Sequence, residues 1–267
     1  MIVRTPEQRA ALVEGGRRLG VILEELAKMV APGVSTETLD EMAERLIREG
    51  GDEPSFLGYT PEGFPRAYPA SLCVSVNDEV VHGIPNERPR TLKAGDIVSL
   101  DLGLTHEGIV VDSALTVPVG KVDKTAYALM DATREALEAA IAAAQLGARV
   151  GDISHATERA FVGTGFSVVK ALGGHGVGGG VHEEPYISNA GKPGTGPVLE
   201  AGMVLALEPI ASEGKAAVVL GNDGYTYRTK DGSRAAHFEH TILVEEGGPL
   251  VVTRRPSEPQ LFRKNEL

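Results

Sequence analysis

The sequence predicts an α+β fold made of two similar halves, each a pair of helices followed by antiparallel strands. Three observations carry that expectation. Helical and strand patterns occur twice in the same order along the 267 residues. The segment Leu92-Lys93-Ala94-Gly95-Asp96-Ile97-Val98-Ser99-Leu100-Asp101 parallels Leu199-Glu200-Ala201-Gly202-Met203-Val204-Leu205-Ala206-Leu207-Glu208. Asp112-Ser113-Ala114-Leu115-Thr116-Val117 likewise parallels Glu239-His240-Thr241-Ile242-Leu243-Val244. Short Gly/Leu/Ala-rich segments can match by coincidence, but two matches in one order favour duplication. The pseudo-repeats run over about residues 5–120 and 121–252.

Each element has a local signal. Thr5-Pro6-Glu7-Gln8 has the form of a capping box with Pro at the first helical position. Leu12, Leu19, Leu23, Leu26 and Val30 then recur at helical spacing until Pro32-Gly33 ends the run. A second helix starts near Ser35, buries Leu39, Met42, Leu46 and Ile47, and ends at Gly50-Gly51. Leu72, Val74 and Val76 share one strand face, and Val98, Leu100, Leu102 and Leu104 share another. In the second half, an Ala-rich helix covers about Lys124 to Gln145. A shorter one begins at Asp152 and runs past Phe161. Gly33 to Arg45 can be laid over Gly147 to Arg159. The connection from Val119 to Lys124 is too short for a hinge, so residues 1–252 are expected as one domain.

Bulk composition excludes several classes. The chain is 42% hydrophobic and 24% charged, as a globular protein is, and its net charge of -11 argues against a nucleic-acid surface. No apolar stretch approaches the roughly 18 residues needed to span a bilayer. Met1 to Pro6 carries no apolar export signal. A single cysteine, Cys73, cannot form an internal disulfide, which suits a reducing cytoplasm. Lys264 to Leu267 looks superficially like an ER-retention tail. Without an export signal, residues 253–267, with Pro256 and Pro259, read instead as a frayed C-terminal tail. Nothing in the pattern asks for a partner subunit, so a monomer is expected.

Acidic residues stand where apolar ones belong. Asp101 interrupts Ile97 to Leu104, and Asp112 interrupts Ile109 to Leu115. Thr105-His106-Glu107-Gly108 reads as the hairpin connection between them, which sets the two carboxylates nearly opposite each other. Glu208 and Glu239 interrupt the equivalent strands of the second half. Any one of these acids, taken alone, reads as a strand-end residue reaching solvent or an Arg. Together, on apolar sheets poor in Lys and Arg, they would repel and lose hydration. A divalent cation cluster resolves that conflict.

Histidines accompany the acids. Gly173 to Pro185 places His175 and His182 around a run dense in glycine. The run lacks a Gly-Lys-Ser/Thr ending and a following helix start, which disfavours a nucleotide loop. His82 ends the apolar stretch Val80-Val81-His82-Gly83. His106, His155 and His240 receive no role, and His237 shares the strand face of Glu239.

In combination, Asp101-x10-Asp112, His175 to Pro185, Leu207-Glu208-Pro209 and Phe238-Glu239-His240-Thr241 resemble type I methionine aminopeptidases. The resemblance runs from about Thr5 to Val252. It implies the pita-bread fold, with duplicated α+β halves and antiparallel sheets around a dinuclear metal site. It also implies Asp101, Asp112, His175, Glu208 and Glu239 as ligands of two divalent ions, Mn, Fe, Co or Zn. Asp112 and Glu239 would bridge both ions, and Glu208 would double as the proton shuttle for the attacking water. His182 would polarise the scissile carbonyl and His82 would orient the peptide. Tyr59, Tyr68 and Cys73 fall in the segment that resembles the family's side-chain pocket. The substrates implied are N-terminal Met peptides and nascent chains, at the ribosome, with a small second residue. Four features depart from the family pattern: extra length at 61–67, and Val181, Tyr225 and His237. Two rivals stand beside this reading: a proline-specific or creatinase-like peptidase of the same fold, and a binding module that has lost its metals.

Overall fold

Thr5 starts the first helix by the chemistry its sequence implies. In the computed structural model, which describes residues 1–64 and 66–258, the Thr5 hydroxyl accepts the Gln8 N–H at 3.2 Å. Pro6 occupies the first turn, where a missing N–H costs nothing. Helix α1 (Pro6–Met29) buries Leu12, Leu19, Leu23 and Leu26 completely. Gly16 lets it lie directly on the backbone of Val252, whose carbonyl oxygen would sit 2.4 Å from any added Cβ. Helix α2 (Thr36–Glu49) buries Leu39 and Ile47 as expected, with Met42 and Leu46 only half-buried.

Strands β1 (Glu53–Pro54), β2 (Leu72–Val76), β3 (Glu79–Val81), β4 (Ile97–His106) and β5 (Ile109–Pro118) complete the first half. Helices α3 (Lys124–Ala143) and α4 (Val150–Ala160) open the second. The latter starts two residues before the expected Asp152 and stops at Phe161, which caps it instead of continuing it. Asp152 is its third residue, and its carboxylate accepts the Arg149 N–H at 2.8 Å. Then follow β6 (Ser167–Val168), β7 (Gly173–Gly176), β8 (Glu183–Ser188), β9 (Val204–Leu207) and β10 (Ile210–Ser212). The series ends with β11 (Val218–Leu220), β12 (Tyr227–Thr229), β13 (Ala235–His237), β14 (His240–Leu243) and β15 (Leu250–Val251).

Two sheets build the centre. One runs β1-β4-β2 with β5 also paired to β4, and the other runs β15-β14-β9-β7-β8. Smaller sheets, β13-β10-β6 and β11-β12-β3, flank them. All pairings are antiparallel. Strand β2 is buried on both faces, so Cys73 and Ser75 are covered as fully as Leu72, Val74 and Val76.

The two segments that align in sequence make the same backbone bonds. The Gly33 N–H donates to Leu92 O at 2.8 Å, and the Gly147 N–H donates to Leu199 O at 2.9 Å. Leu92 N–H returns to Val34 O, as Leu199 N–H returns to Ala148 O, both at 2.8 Å. Bridges Ser35↔Thr91 and Arg149↔Val198 occupy matching places.

Residues 253–258 are not the frayed tail the prolines suggest. Thr253 is fully buried and Arg255 is 5% exposed. The Thr253 hydroxyl accepts the Thr241 N–H at 3.0 Å, and Arg255 ion-pairs with Glu258. Side-chain partners far back in the chain hold this segment, so local composition misreads it. Pro259 and Lys264 to Leu267 lie outside the described residues. Among the described residues, no helix is long and apolar enough to cross a membrane.

Candidate metal centre

Asp101 sits on β4 and Asp112 on β5, two positions out of direct opposition. The register pairs Asp101 with Ala114 and Gly103 with Asp112. The reason is the turn: only Glu107 and Gly108, at φ 48° and 79°, connect His106 to its partner Ile109. Its centre lies one residue later than a four-residue connection places it. Two positions along a strand keep the same face, so both carboxylates still point into one space, as diagonal neighbours. In the second half, His240 pairs with Leu207, which leaves Glu239 and Glu208 side by side just past the ladder. His175 arrives on β7 opposite Ala206. Gly174 beside it is required, because a Cβ there would meet Ala206 O at 2.2 Å.

Hydrogen bonds stitch the halves together at the acids. The Asp112 N–H donates to the Thr241 hydroxyl at 2.9 Å, and that hydroxyl donates to Asp112 O at 2.7 Å. Ser113 Oγ donates to Glu239 O at 2.7 Å, and the Glu239 N–H donates to Ala114 O at 2.9 Å.

One ligand atom from each of Asp112, His175 and Glu239 lies within 4.8 Å of the others. Glu208 stands at 3.5 Å from His175 Nε2 and from His237 Nε2, and Glu239 at 3.8 Å from His237 Nε2. His175 Nδ1 is 3.0 Å from Gly176 O, so as the donor it leaves Nε2 free to coordinate. Asp101 Oδ1, Asp112 Oδ1 and Glu239 Oε1 are buried and lack a hydrogen-bond partner among the described residues. Burial pushes the Asp101 carboxyl up to about 7. Burial and then mutual repulsion hold Asp112, Glu208 and Glu239 well above the ordinary carboxylate range. Burial lowers His175 to about 3, so its ring is neutral. Orphaned carboxylate oxygens beside a neutral imidazole are the donor set a divalent transition ion takes, and the residues fit one.

Beside the acids opens a cavity lined at its apolar end by Phe56, Tyr59, Tyr68, Cys73 and Tyr225. Cys73 pairs in register with Asp101. The Tyr68 hydroxyl donates to Gly83 O at 2.9 Å. His82 also lines the cavity, with its backbone in the left-handed region at φ 58°. His182 is exposed at the mouth, its Nδ1 3.1 Å from the Tyr59 hydroxyl and its ring 4.5 Å from that of His175. Phe56 and Val81 join the lining without having been read from the sequence. Gly103 was the available signal for Phe56, whose ring would lie 2.7 Å from a Cβ there. His237 lines the cavity and is 2% exposed. His106 lies elsewhere, bonded to Asp52 at 2.7 Å, and His240 packs away from the acids on Thr253 at 3.0 Å.

Metallopeptidase family M24 matches residues 10–246, and the chain belongs to that family. It is therefore built as a metal-dependent peptidase. Within the family its similarity is to methionine aminopeptidases. It is 43% identical to methionine aminopeptidase 1 of Mycobacterium tuberculosis over 256 residues, 94% of this chain and 94% of that protein. It is 43% identical to methionine aminopeptidase 1 of Bacillus subtilis, over 95% of this chain and 99% of that protein. The crystal structure of a Thermotoga maritima methionine aminopeptidase superposes with a TM-score of 0.89 at 41% identity, covering 96% of this chain and all of that one. An Xaa-Pro dipeptidase from Bacillus anthracis shares the fold alone, at TM-score 0.72 and 21% identity, with 63% of its length covered.

Proposed function

We propose that this chain hydrolyses the peptide bond that follows an N-terminal methionine, preferring a small second residue. One observation carries the reading: the Asp112–His175–Glu239 cluster lines the same cavity as Phe56, Tyr59, Tyr68 and Cys73. An unbranched, polarizable side chain suits such a cavity, and its carbonyl then falls at the acids.

Asp101, Asp112, His175, Glu208 and Glu239 would hold two divalent ions, Mn, Fe, Co or Zn. The ions supply Lewis acidity to the carbonyl and to the attacking water. Glu208 accepts the proton of that water and returns it to the leaving amine. Its half-buried carboxylate, between His175 and His237, is suited to exchange a proton. His182 donates to the carbonyl oxygen, where charge develops. With Tyr59 as the donor to His182 Nδ1, 3.1 Å away, the proton stays on Nε2 for that purpose. His82 orients the peptide near the scissile nitrogen. The substrates would be nascent chains at the ribosome, met by a monomer in the cytoplasm.

The test is hydrolysis of Met-Ala-Ser and Ala-Pro peptides by metal-stripped and metal-restored protein. Metal-dependent release of methionine supports the reading, and preference for Ala-Pro moves the chain to the proline-specific group.

A further inference from the structure

Two tyrosines of the cavity are the two ends of one loop. The Gly58 N–H donates to Tyr68 O at 2.9 Å and the Tyr68 N–H donates to Tyr59 O at 2.8 Å, so the chain leaves and returns through a single closed pair. The loop carries Phe64 and Arg66, and neither points idly to solvent. The Arg66 guanidinium ion-pairs with Glu87 through both nitrogens, the Nη2 bond being 2.9 Å, and Nη2 also donates to Asp223 O at 3.1 Å. Its central carbon lies 5.7 Å from the centroid of the Tyr225 ring. The Tyr225 hydroxyl in turn donates to Arg66 O at 2.5 Å. Phe64 packs on the same ring at 5.0 Å, and Tyr68 meets it edge-on at 5.1 Å. Tyr225 is 3% exposed and forms a wall of the cavity, as Pro61 of the loop also does.

Arg66 thus touches Tyr225 twice, by its backbone carbonyl and by its side chain, while Glu87 and Asp223 fix Arg66 to the body of the molecule. We propose that Arg66 is a positioning residue for side-chain selection: anchored on Glu87 and Asp223, it holds the Tyr225 ring as a rigid wall. A rigid wall rejects a branched side chain of equal size by shape, whereas a wall free to swing accommodates it. Bidentate pairing with stacking is the geometry that an arginine supplies and a lysine does not. The inference rests on the methionine reading above and names what sets its selectivity.

The test compares wild type, Arg66→Ala, Arg66→Lys and Glu87→Gln on Met-Ala-Ser and Leu-Ala-Ser peptides, with metal content and thermal midpoint measured for each. In Arg66→Ala the Met-over-Leu ratio of kcat/KM should fall about ten-fold, within the range one branch or methylene supplies. The fall should come chiefly through a lower KM for the Leu peptide, with kcat for the Met peptide and metal content held. Arg66→Lys and Glu87→Gln should fall between it and wild type. An unchanged Met-over-Leu ratio in folded, metal-loaded Arg66→Ala overturns the inference, as does loss of kcat with KM unchanged. If Arg66→Ala fails to fold, Glu87→Gln alone decides by the same ratio. Wild-type protein that releases no methionine sinks the proposed activity itself, and the inference with it.

Discussion

Asp112 and Thr241 hold each other twice across the junction of the two halves. The threonine hydroxyl accepts the Asp112 N–H at 2.9 Å and donates to the Asp112 carbonyl at 2.7 Å. One side chain therefore satisfies both backbone groups of a carboxylate residue in the middle of β5. The position of Asp112 relative to Glu239 is fixed by this contact as much as by either sheet.

Replacing Thr241 with Val keeps the volume and removes both bonds. The buried Asp112 N–H and carbonyl are left unpaired, at a cost of about 2–4 kcal/mol. Denaturant unfolding should show that loss, and metal titration should show weaker binding. Thr241→Ser should recover most of both. A Thr241→Val protein as stable and as tight for metal as wild type would contradict the account.

The two histidines of the glycine-rich segment should separate cleanly. His175 is buried against the acids, so His175→Ala should lose metal and activity together. His182 stands at the mouth, so His182→Ala should keep its metal and lose turnover by about 10²–10³-fold, as for an oxyanion donor. Elemental analysis beside kinetics checks this, and equal metal loss in both variants contradicts it.

Glu208→Gln keeps size and a possible oxygen ligand but removes the proton acceptor. The variant should fold, bind metal and turn over very slowly. A near-normal rate would assign proton transfer to another group.

Chelation should change how stability depends on pH. Burial raises Asp101 to about 7, and burial with mutual repulsion holds Asp112, Glu208 and Glu239 well above the ordinary carboxylate range. A carboxyl raised by folding stabilises the fold below its unfolded pKa, and that contribution is lost as pH rises through the folded value. The buried histidines, His175 and His237 at about 3 and His82 and His240 at about 4, act oppositely. They do so below about pH 6.5, where unfolded imidazoles charge. Above about pH 6.5 the acids dominate. The chelated protein should therefore lose thermal stability as pH rises, and the metal-loaded protein should lose less. Equal slopes would mean the acids do not titrate in the chelated fold.

The acids were legible because each breaks an apolar strand, a conflict visible in Ile97 to Leu104 without any structure. The duplication was legible because its two copies keep the same glycines before the same strands. Register was misread by two residues, since the left-handed backbone of Glu107 tightens the turn and a glutamate does not announce that conformation. Residues 253–258 were misread because their partners, His240 and Thr241, are remote in sequence. The anchoring of Arg66 was hidden for the same reason, through Glu87 and Asp223. Local pattern reports what a residue prefers, and only the fold reports what it meets.

The central claim is metal-dependent removal of methionine at the Asp112–His175–Glu239 cluster. Its most direct test is one hydrolysis series on Met-Ala-, Met-Lys-, Leu-Ala- and Ala-Pro-led peptides, run with chelated protein and again after adding back Mn, Fe or Co. The account predicts no hydrolysis without metal and, with it, cleavage of Met-Ala far ahead of the other three. Full activity in protein shown by elemental analysis to hold no metal, or indifference to the first residue, would contradict it.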